Sequence, residues 1–191
     1  MAATIVSILL AGILTENIVF SKLLGVCPIF RGAQKLSNAF WMSVSVCALM
    51  LISVAVTHPI YTFVLVPLGV KYLQTVLFIL IIVALTQCIE MLIKRYLKKV
   101  YDKVGVYLPT LATNCAVLGI AILSSISGYN FGLALLSALA AGLGFMLSMV
   151  IFWGIRMRVD TADIPEFLRG LPITLISAAI VSLAFIGFAG L

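Results

Sequence analysis

Apolar residues run along this chain in six long stretches, and the polar gaps between them are too short to hold a domain. The stretches lie at about 4–25, 38–57, 71–93, 104–126, 130–154 and 171–190. Each approaches the roughly 20 apolar residues that one helix needs to cross a bilayer. The gap at 30–38 carries Arg31 and Lys35. The next, from His58 to Gly69, holds Pro59 and Pro67. The gap at 94–103 is the most basic, 128–130 is a tight turn, and 156–169 mixes both signs. The pattern predicts an all-α polytopic membrane protein, six transmembrane helices in a single integral membrane domain over 1–191.

Composition supports the same class. Of 191 residues, 64% are hydrophobic and 9% charged, against about 45–50% apolar and about 25% charged in soluble domains. A surface built from this chain could not be covered with polar groups, so a water-soluble globule, a disordered chain and a nucleic-acid binder are all excluded. The net charge of +6 comes from only 12 Lys and Arg. Eleven of them follow the first, third and fifth stretches, and Lys71 alone falls on the other side. Basic residues stay cytoplasmic, so both termini are expected on the non-cytoplasmic side of the membrane. The first basic residue is Lys22. No positive region precedes the first apolar stretch, so that helix is expected to be retained rather than cleaved as a signal.

Three stretches precede the basic gap and three follow it. An odd number per half forces the halves, about 1–95 and 98–191, into opposite orientations as inverted repeats. Segment one contains Leu14-Thr15-Glu16-Asn17 and segment four Leu111-Ala112-Thr113-Asn114, each with an Asn inside an apolar run and a Cys further on, at unequal spacings. Both segments look interrupted. Leu24-Gly25-Val26-Cys27-Pro28 ends in a proline, which disfavours helix at Cys27; Tyr107-Leu108-Pro109 opens segment four, and Gly119 follows Cys115. Irregular backbone at membrane depth is tolerated where it is buried in protein or lines a cavity, and sites in inverted-repeat proteins lie on such helices. Helices 1 and 4 are therefore expected to be broken and to face each other or a partner.

The chemistry-bearing residues are few. Cys27 and Cys115 sit in the two broken segments, flanked by Gly and Pro or Asn, whose backbone leaves room for a metal centre and offers N–H groups to its sulfurs. A cysteine-ligated iron–sulfur cluster takes four ligands, so two thiols here and two from a similar partner complete a set. Against this stands the ordinary reading of cysteine as a small buried hydrophobe, which is the reading for Cys47 and Cys88. Glu16 and Asn17 lie within span one, where a carboxylate is costly and marks an ion path or a paired structural site. Asn17 and Asn114 equally suit the backbone of the broken helices, and Gly25 and Thr113 flank the same places. Glu90 and Lys94 read as an interfacial pair four residues apart, and His58 as a surface residue of an outer loop. Ala138 and Gly142, and Ala140, Gly144 and Ser148, form small-residue stripes for close helix packing. Asp160, Asp163, Glu166 and Arg169 read as a solvated loop or a docking site. No nucleotide or flavin motif is present, so if redox chemistry occurs here, other subunits bring the soluble cofactors.

The strings Lys22-Leu-Leu-Gly-Val-Cys-Pro28 and Leu108-Pro-Thr-Leu-Ala-Thr-Asn-Cys-Ala-Val-Leu-Gly119 closely resemble signature segments of the RnfA/NqrE family. The stretch Asp163-Ile-Pro-Glu-Phe-Leu-Arg-Gly-Leu-Pro172 and the ending Ser182-Leu-Ala-Phe-Ile-Gly-Phe-Ala-Gly-Leu191 match as well. Within the family, the residues around both cysteines are more similar to the A-type Rnf members than to the E-type Nqr members. The resemblance implies a six-span subunit of an ion-translocating electron-transport complex in a bacterial or archaeal cell (inner) membrane, with no complete active site in one chain. It implies pairing with a homologous subunit of opposite orientation (RnfE-like), and a [2Fe–2S] cluster shared between them and bound here by Cys27 and Cys115. It also implies further Rnf-type subunits, like B, C, D and G, carrying flavins and iron–sulfur clusters, and electron transfer between ferredoxin and NAD coupled to Na⁺ or H⁺ movement. The alternatives are an E-type subunit of a Na⁺-translocating NADH:quinone oxidoreductase, a cofactor-free secondary transporter on the same inverted repeat, and a structural assembly subunit.

Overall fold

The computed structural model describes residues 2–10, 12–13, 17–28, 36–68, 73–96, 114–161, 165, 168 and 170–189. Among the described residues every regular element is helical: α1 Ala2–Leu10, α2 Ile18–Lys22, α3 Leu36–Ile60, α4 Gln74–Tyr96, α5 Cys115–Ile126, α6 Phe131–Asp160 and α7 Leu171–Ala189. Three helical stretches are long and apolar enough to cross a membrane, Ala39–Phe63, Gln74–Tyr96 and Phe131–Val159, and Cys115–Ile126 and Pro172–Gly187 are shorter apolar helices. Thus α3, α4, α6 and α7 fall on the second, third, fifth and sixth apolar stretches. Glu16, Thr113 and the first half of the fourth stretch lie outside the described residues.

The second stretch runs further than its prolines suggested. α3 contains Pro59 and passes straight into a π-helical turn, Tyr61–Leu65, followed by Val66–Leu68. A proline inside a helix removes one backbone donor and pushes against the preceding turn. The wider i→i+5 pattern follows directly, with the Val66 N–H donating to the Tyr61 carbonyl. His58 is therefore a helix residue, not part of an outer loop. It is half-buried; its Nε2 lies 2.8 Å from the Tyr129 carbonyl oxygen, and its ring sits edge-on to Phe131 at 5.9 Å.

α6 is the helix on which the others assemble. It packs along α3 and also meets α1, α2, α5 and α7, while Leu139, Leu143 and Val150 keep its exposed face apolar, as a membrane span requires. Met42, Val46, Met50 and Val54 of α3 are buried with Phe145 and Met149 of α6. Lipid tails are as apolar as these side chains, so close fit rather than water exclusion holds such helices together. The two small-residue stripes supply that fit on two sides of α6. On one, a Cβ at Gly142 would overlap Cys47 Sγ, which makes Cys47 a packing residue, as its sequence context suggested. On the other, Ala140 receives Gly12 so closely that a Cβ on Gly12 would come within 2.7 Å of the Ala140 Cβ.

Candidate functional site

The first apolar stretch is not one helix. α1 ends at Leu10, and a new helix, α2, starts at Ile18 with Asn17 as its N-cap. The Asn17 side chain is fully buried. Its Oδ1 accepts from the Val19 N–H at 3.1 Å and from Ser148 Oγ at 3.1 Å. Its Nδ2 donates to the carbonyls of Ile13 at 3.1 Å and Gly144 at 2.9 Å. All four interactions of the amide are thus made within the chain. They fasten the break to Gly144 and Ser148, the second small-residue stripe of α6, where a Cβ on Gly144 would stand 3.1 Å from Asn17 Nδ2.

α2 is short and closely held. Phe20 is buried and stacks on Phe185 at 4.3 Å and on Phe152 at 5.8 Å, and its carbonyl accepts a hydrogen bond from Ser182 Oγ. The helix ends at Leu23, in the left-handed region at φ 53°, followed by Gly25 at φ 82°. The backbone break expected at Cys27, before Pro28, therefore falls at Leu23–Gly25, while 26–28 are helical. Pro28 sits in the opening turn of that piece, where a missing N–H costs no helical bond. Lys22, read from sequence as lying in the loop after span one, is the last residue of α2. It lines a cavity of about 150 Å³ with Gly12, Ile18, Ser124 and Ser127.

The fourth stretch repeats the device. Asn114 is the N-cap of α5, its Oδ1 accepting from the Ala116 N–H at 3.0 Å, and Cys115 is the first helical residue. Asn17 and Asn114 thus hold equivalent positions, each bonding the N–H two residues on. The cysteines do not: Cys115 directly follows its cap, whereas Cys27 lies beyond the Leu23–Gly25 turn.

That turn and α5 meet. The Gly25 N–H donates to Cys115 Sγ at 3.0 Å. Only glycine fits, because a Cβ at residue 25 would lie 2.8 Å from Ala116 Cβ and 3.1 Å from Phe145 Cε2, on a backbone already at positive φ. Gly119, one turn along α5, leaves room for Leu24, whose Cδ1 would be 2.6 Å from an added Cβ. Two glycines far apart in sequence therefore bring the Cys27-bearing turn onto the N-terminus of α5. Cys115 is half-buried there, and Cys27 is exposed on the surface of the chain. Among the described residues no group of three or more His, Cys, Asp and Glu gathers to hold a metal. The Ser148 and Gly144 bonds to Asn17 were not foreseen. The small-residue stripe marked the contact but not its polar content.

The Rnf-Nqr subunit family of membrane proteins matches residues 5–191. The chain belongs to the Rnf-Nqr family. The A subunit of the Na⁺-translocating ferredoxin:NAD⁺ oxidoreductase complex of Acetobacterium woodii is 41% identical over 98% of this chain and 98% of its own length. The A subunit of the ion-translocating oxidoreductase complex of Syntrophotalea carbinolica is 39% identical over 96% of this chain and 95% of its own. Its counterpart in Serratia proteamaculans is 41% identical, over 94% and 93%. The Rnf-Nqr match runs through both Asn caps and both cysteine segments.

Proposed function

We propose that this Rnf-Nqr chain is the A-type membrane subunit of an ion-translocating ferredoxin:NAD oxidoreductase complex, and that Cys27 and Cys115 hold half of an intramembrane [2Fe–2S] cluster. The observation that carries the reading is the Gly25 N–H on Cys115 Sγ. It ties the two cysteine-bearing turns together at a helix N-terminus, in a chain similar along its length to the A subunits of such complexes. The relatives' names favour the Rnf over the Nqr type.

The donor set suits the group. Thiolates are the usual ligands of iron–sulfur clusters, and hydrogen bonds to their sulfurs and exclusion of solvent set the potential. Cys115 has the first, a backbone donor on Sγ, and it opens α5, whose N-terminal partial positive charge favours an anionic group nearby. Exposed Cys27 awaits a covering partner. A homologous subunit of opposite orientation, supplying two more thiols, fits that need. Bound there, the cluster supplies one-electron transfer across the membrane interior. The chain's own part is to present two thiols, place an N–H on one sulfur, and keep water away with the apolar residues around α5.

The six-span architecture with inverted three-helix halves belongs to the same reading, supported by the matching Asn17 and Asn114 caps. So do termini on the non-cytoplasmic side; the basic asymmetry survives removal of Lys22 from the count. Glu16 stays the candidate for the Na⁺ or H⁺ path.

Substitution of single cysteines tests the ligand set. Cys27→Ser and Cys115→Ser should each remove or destabilise the iron of the purified complex, because serine oxygen replaces thiolate sulfur poorly. Cys47→Ser, against Gly142, and Cys88→Ser, on the exposed side of α4, should leave it in place. Equal iron in all four variants, by metal analysis and paramagnetic resonance, would overturn the assignment.

A further inference from the structure

Asn114 is only 3% exposed, yet its Nδ2 has no hydrogen-bond partner among the described residues. Buried amide donors are nearly always paired, and an exception calls for an explanation, a redox role or a bound group among them. The equivalent cap, Asn17, spends both Nδ2 hydrogens on carbonyls of its own chain. The other orphaned side-chain atoms, Ser53 Oγ on α3 and Gln74 Nε2 on α4, belong to segments that carry neither Cys27 nor Cys115. Asn114 adjoins Cys115 in sequence. Its amide also faces the Leu24–Gly25 turn, since an added Cβ on Gly25 would be 3.3 Å from Asn114 Oδ1. The bare donor and the Gly25 N–H that bonds Cys115 Sγ therefore occupy one small region.

We propose that Asn114 Nδ2 donates a hydrogen bond to a sulfur of the iron centre held at Cys115 and raises its reduction potential. The inference rests on the iron site proposed above. The reduced centre carries more negative charge on its sulfurs than the oxidised one. A donor aimed at sulfur therefore stabilises the reduced state more, and removing it lowers the potential. Gly25 makes one such bond from the backbone; Asn114 adds one from a side chain that a substitution can remove.

The test is redox titration of the purified whole complex followed by paramagnetic resonance, with Asn114→Ser and Asn17→Ser as the pair. Serine keeps an oxygen able to cap the helix but is too short to place a donor where Nδ2 stood. In Asn114→Ser the reduction equilibrium of the centre should move about tenfold toward the oxidised form, which for a one-electron couple is about 59 mV. Asn17→Ser should leave it unmoved. A potential unchanged in Asn114→Ser, or equal shifts in both variants, overturns the proposal. So does an unchanged potential with weakened association between the complex's subunits, which gives Nδ2 to a partner carbonyl instead. Should Asn114→Ser fail to assemble, the parent complex labelled with ¹⁵N at the asparagine side chains decides. Electron-spin-echo spectroscopy should then detect a weak nitrogen coupling to the reduced centre, and its absence overturns the bond. A parent complex with no membrane iron signal fails at the ligand assignment itself, an outcome separable from all of these.

Discussion

Asn17 and Asn114 stand at the same place in two helices, each buried and each accepting the N–H two residues on, but they differ in what the rest of the amide does. Asn17 is saturated within the chain and bolts the first break to α6 through Gly144 and Ser148. Asn114 makes its cap and leaves Nδ2 bare, beside a thiol that already has a backbone donor. One local solution to starting a helix inside an apolar segment thus serves two ends. The first cap is a fixed anchor; the second keeps a buried donor unspent. A polar group in a membrane interior must find a partner, and the proposed iron centre is the partner that Asn114 Nδ2 would take.

The strongest way to break this comparison is to truncate both caps. Asn17→Ala removes three hydrogen bonds and a share of a fourth, from Ser148, and at about 1 kcal/mol each should cost about 3 kcal/mol or more. It also leaves the Ile13 carbonyl without its side-chain donor. Asn114→Ala loses one capping bond, for about 1 kcal/mol. Thermal unfolding of the purified complex in one detergent at one heating rate should therefore show a far larger drop for Asn17→Ala. Equal drops would mean that Asn114 is as deeply tied into the chain as Asn17, and the contrast between anchor and open cap would fail.

A smaller effect sharpens the second region. Gly25→Ala puts a methyl against Ala116 and Phe145 at φ 82°, and should cost about 1–3 kcal/mol in strain. It should also draw the N–H away from Cys115 Sγ and loosen iron binding. Gly128→Ala has the same kind of backbone, at φ 62°, with nothing within 4 Å of the new methyl. It should cost only about 1 kcal/mol and leave iron content untouched. If both variants kept full iron, the close fit at residue 25 would have no bearing on the site.

How much of this was legible in sequence follows from the range of each interaction. The long spans were legible because hydropathy is a property of consecutive residues, and α4 and α7 fell where it placed them. Asn17 and Asn114 were legible as anomalies, polar amides inside apolar runs. The place of the first break was not. Leu23 adopts a left-handed backbone that no leucine announces, so the visible punctuation, Pro28, drew the break toward itself. Pro59 misled in the opposite sense, because a π-turn after it carries the helix on, and this placed His58 in a loop it does not occupy. Least legible was the difference between the two caps. Whether an amide is satisfied depends on Gly144 and Ser148, more than a hundred positions away, and on packing that brings Gly12 onto Ala140.

The gentlest test of the anchor is Ser148→Ala. Ser148 Oγ is fully buried and lies 3.1 Å from Asn17 Oδ1 and 2.9 Å from the Gly144 carbonyl. One hydroxyl hydrogen serves one acceptor at a time, so the substitution removes a single bond at any moment. Asn17 Oδ1 keeps the Val19 N–H and the Gly144 carbonyl keeps Asn17 Nδ2, so no buried group is orphaned. Removing a hydroxyl without stranding its partner costs about 0.5–1.5 kcal/mol, and interhelical hydrogen bonds within membranes average about 0.6 kcal/mol. The expected result is a small loss of thermal stability with iron content and potential unchanged. Combining it with Asn17→Ala should add less than its own cost, because the bond to Asn17 Oδ1 is already gone and only the one to the Gly144 carbonyl remains. Full additivity in that double variant would mean Ser148 stabilises α6 by bonding its own helix, and the anchor would then rest on Gly144 alone.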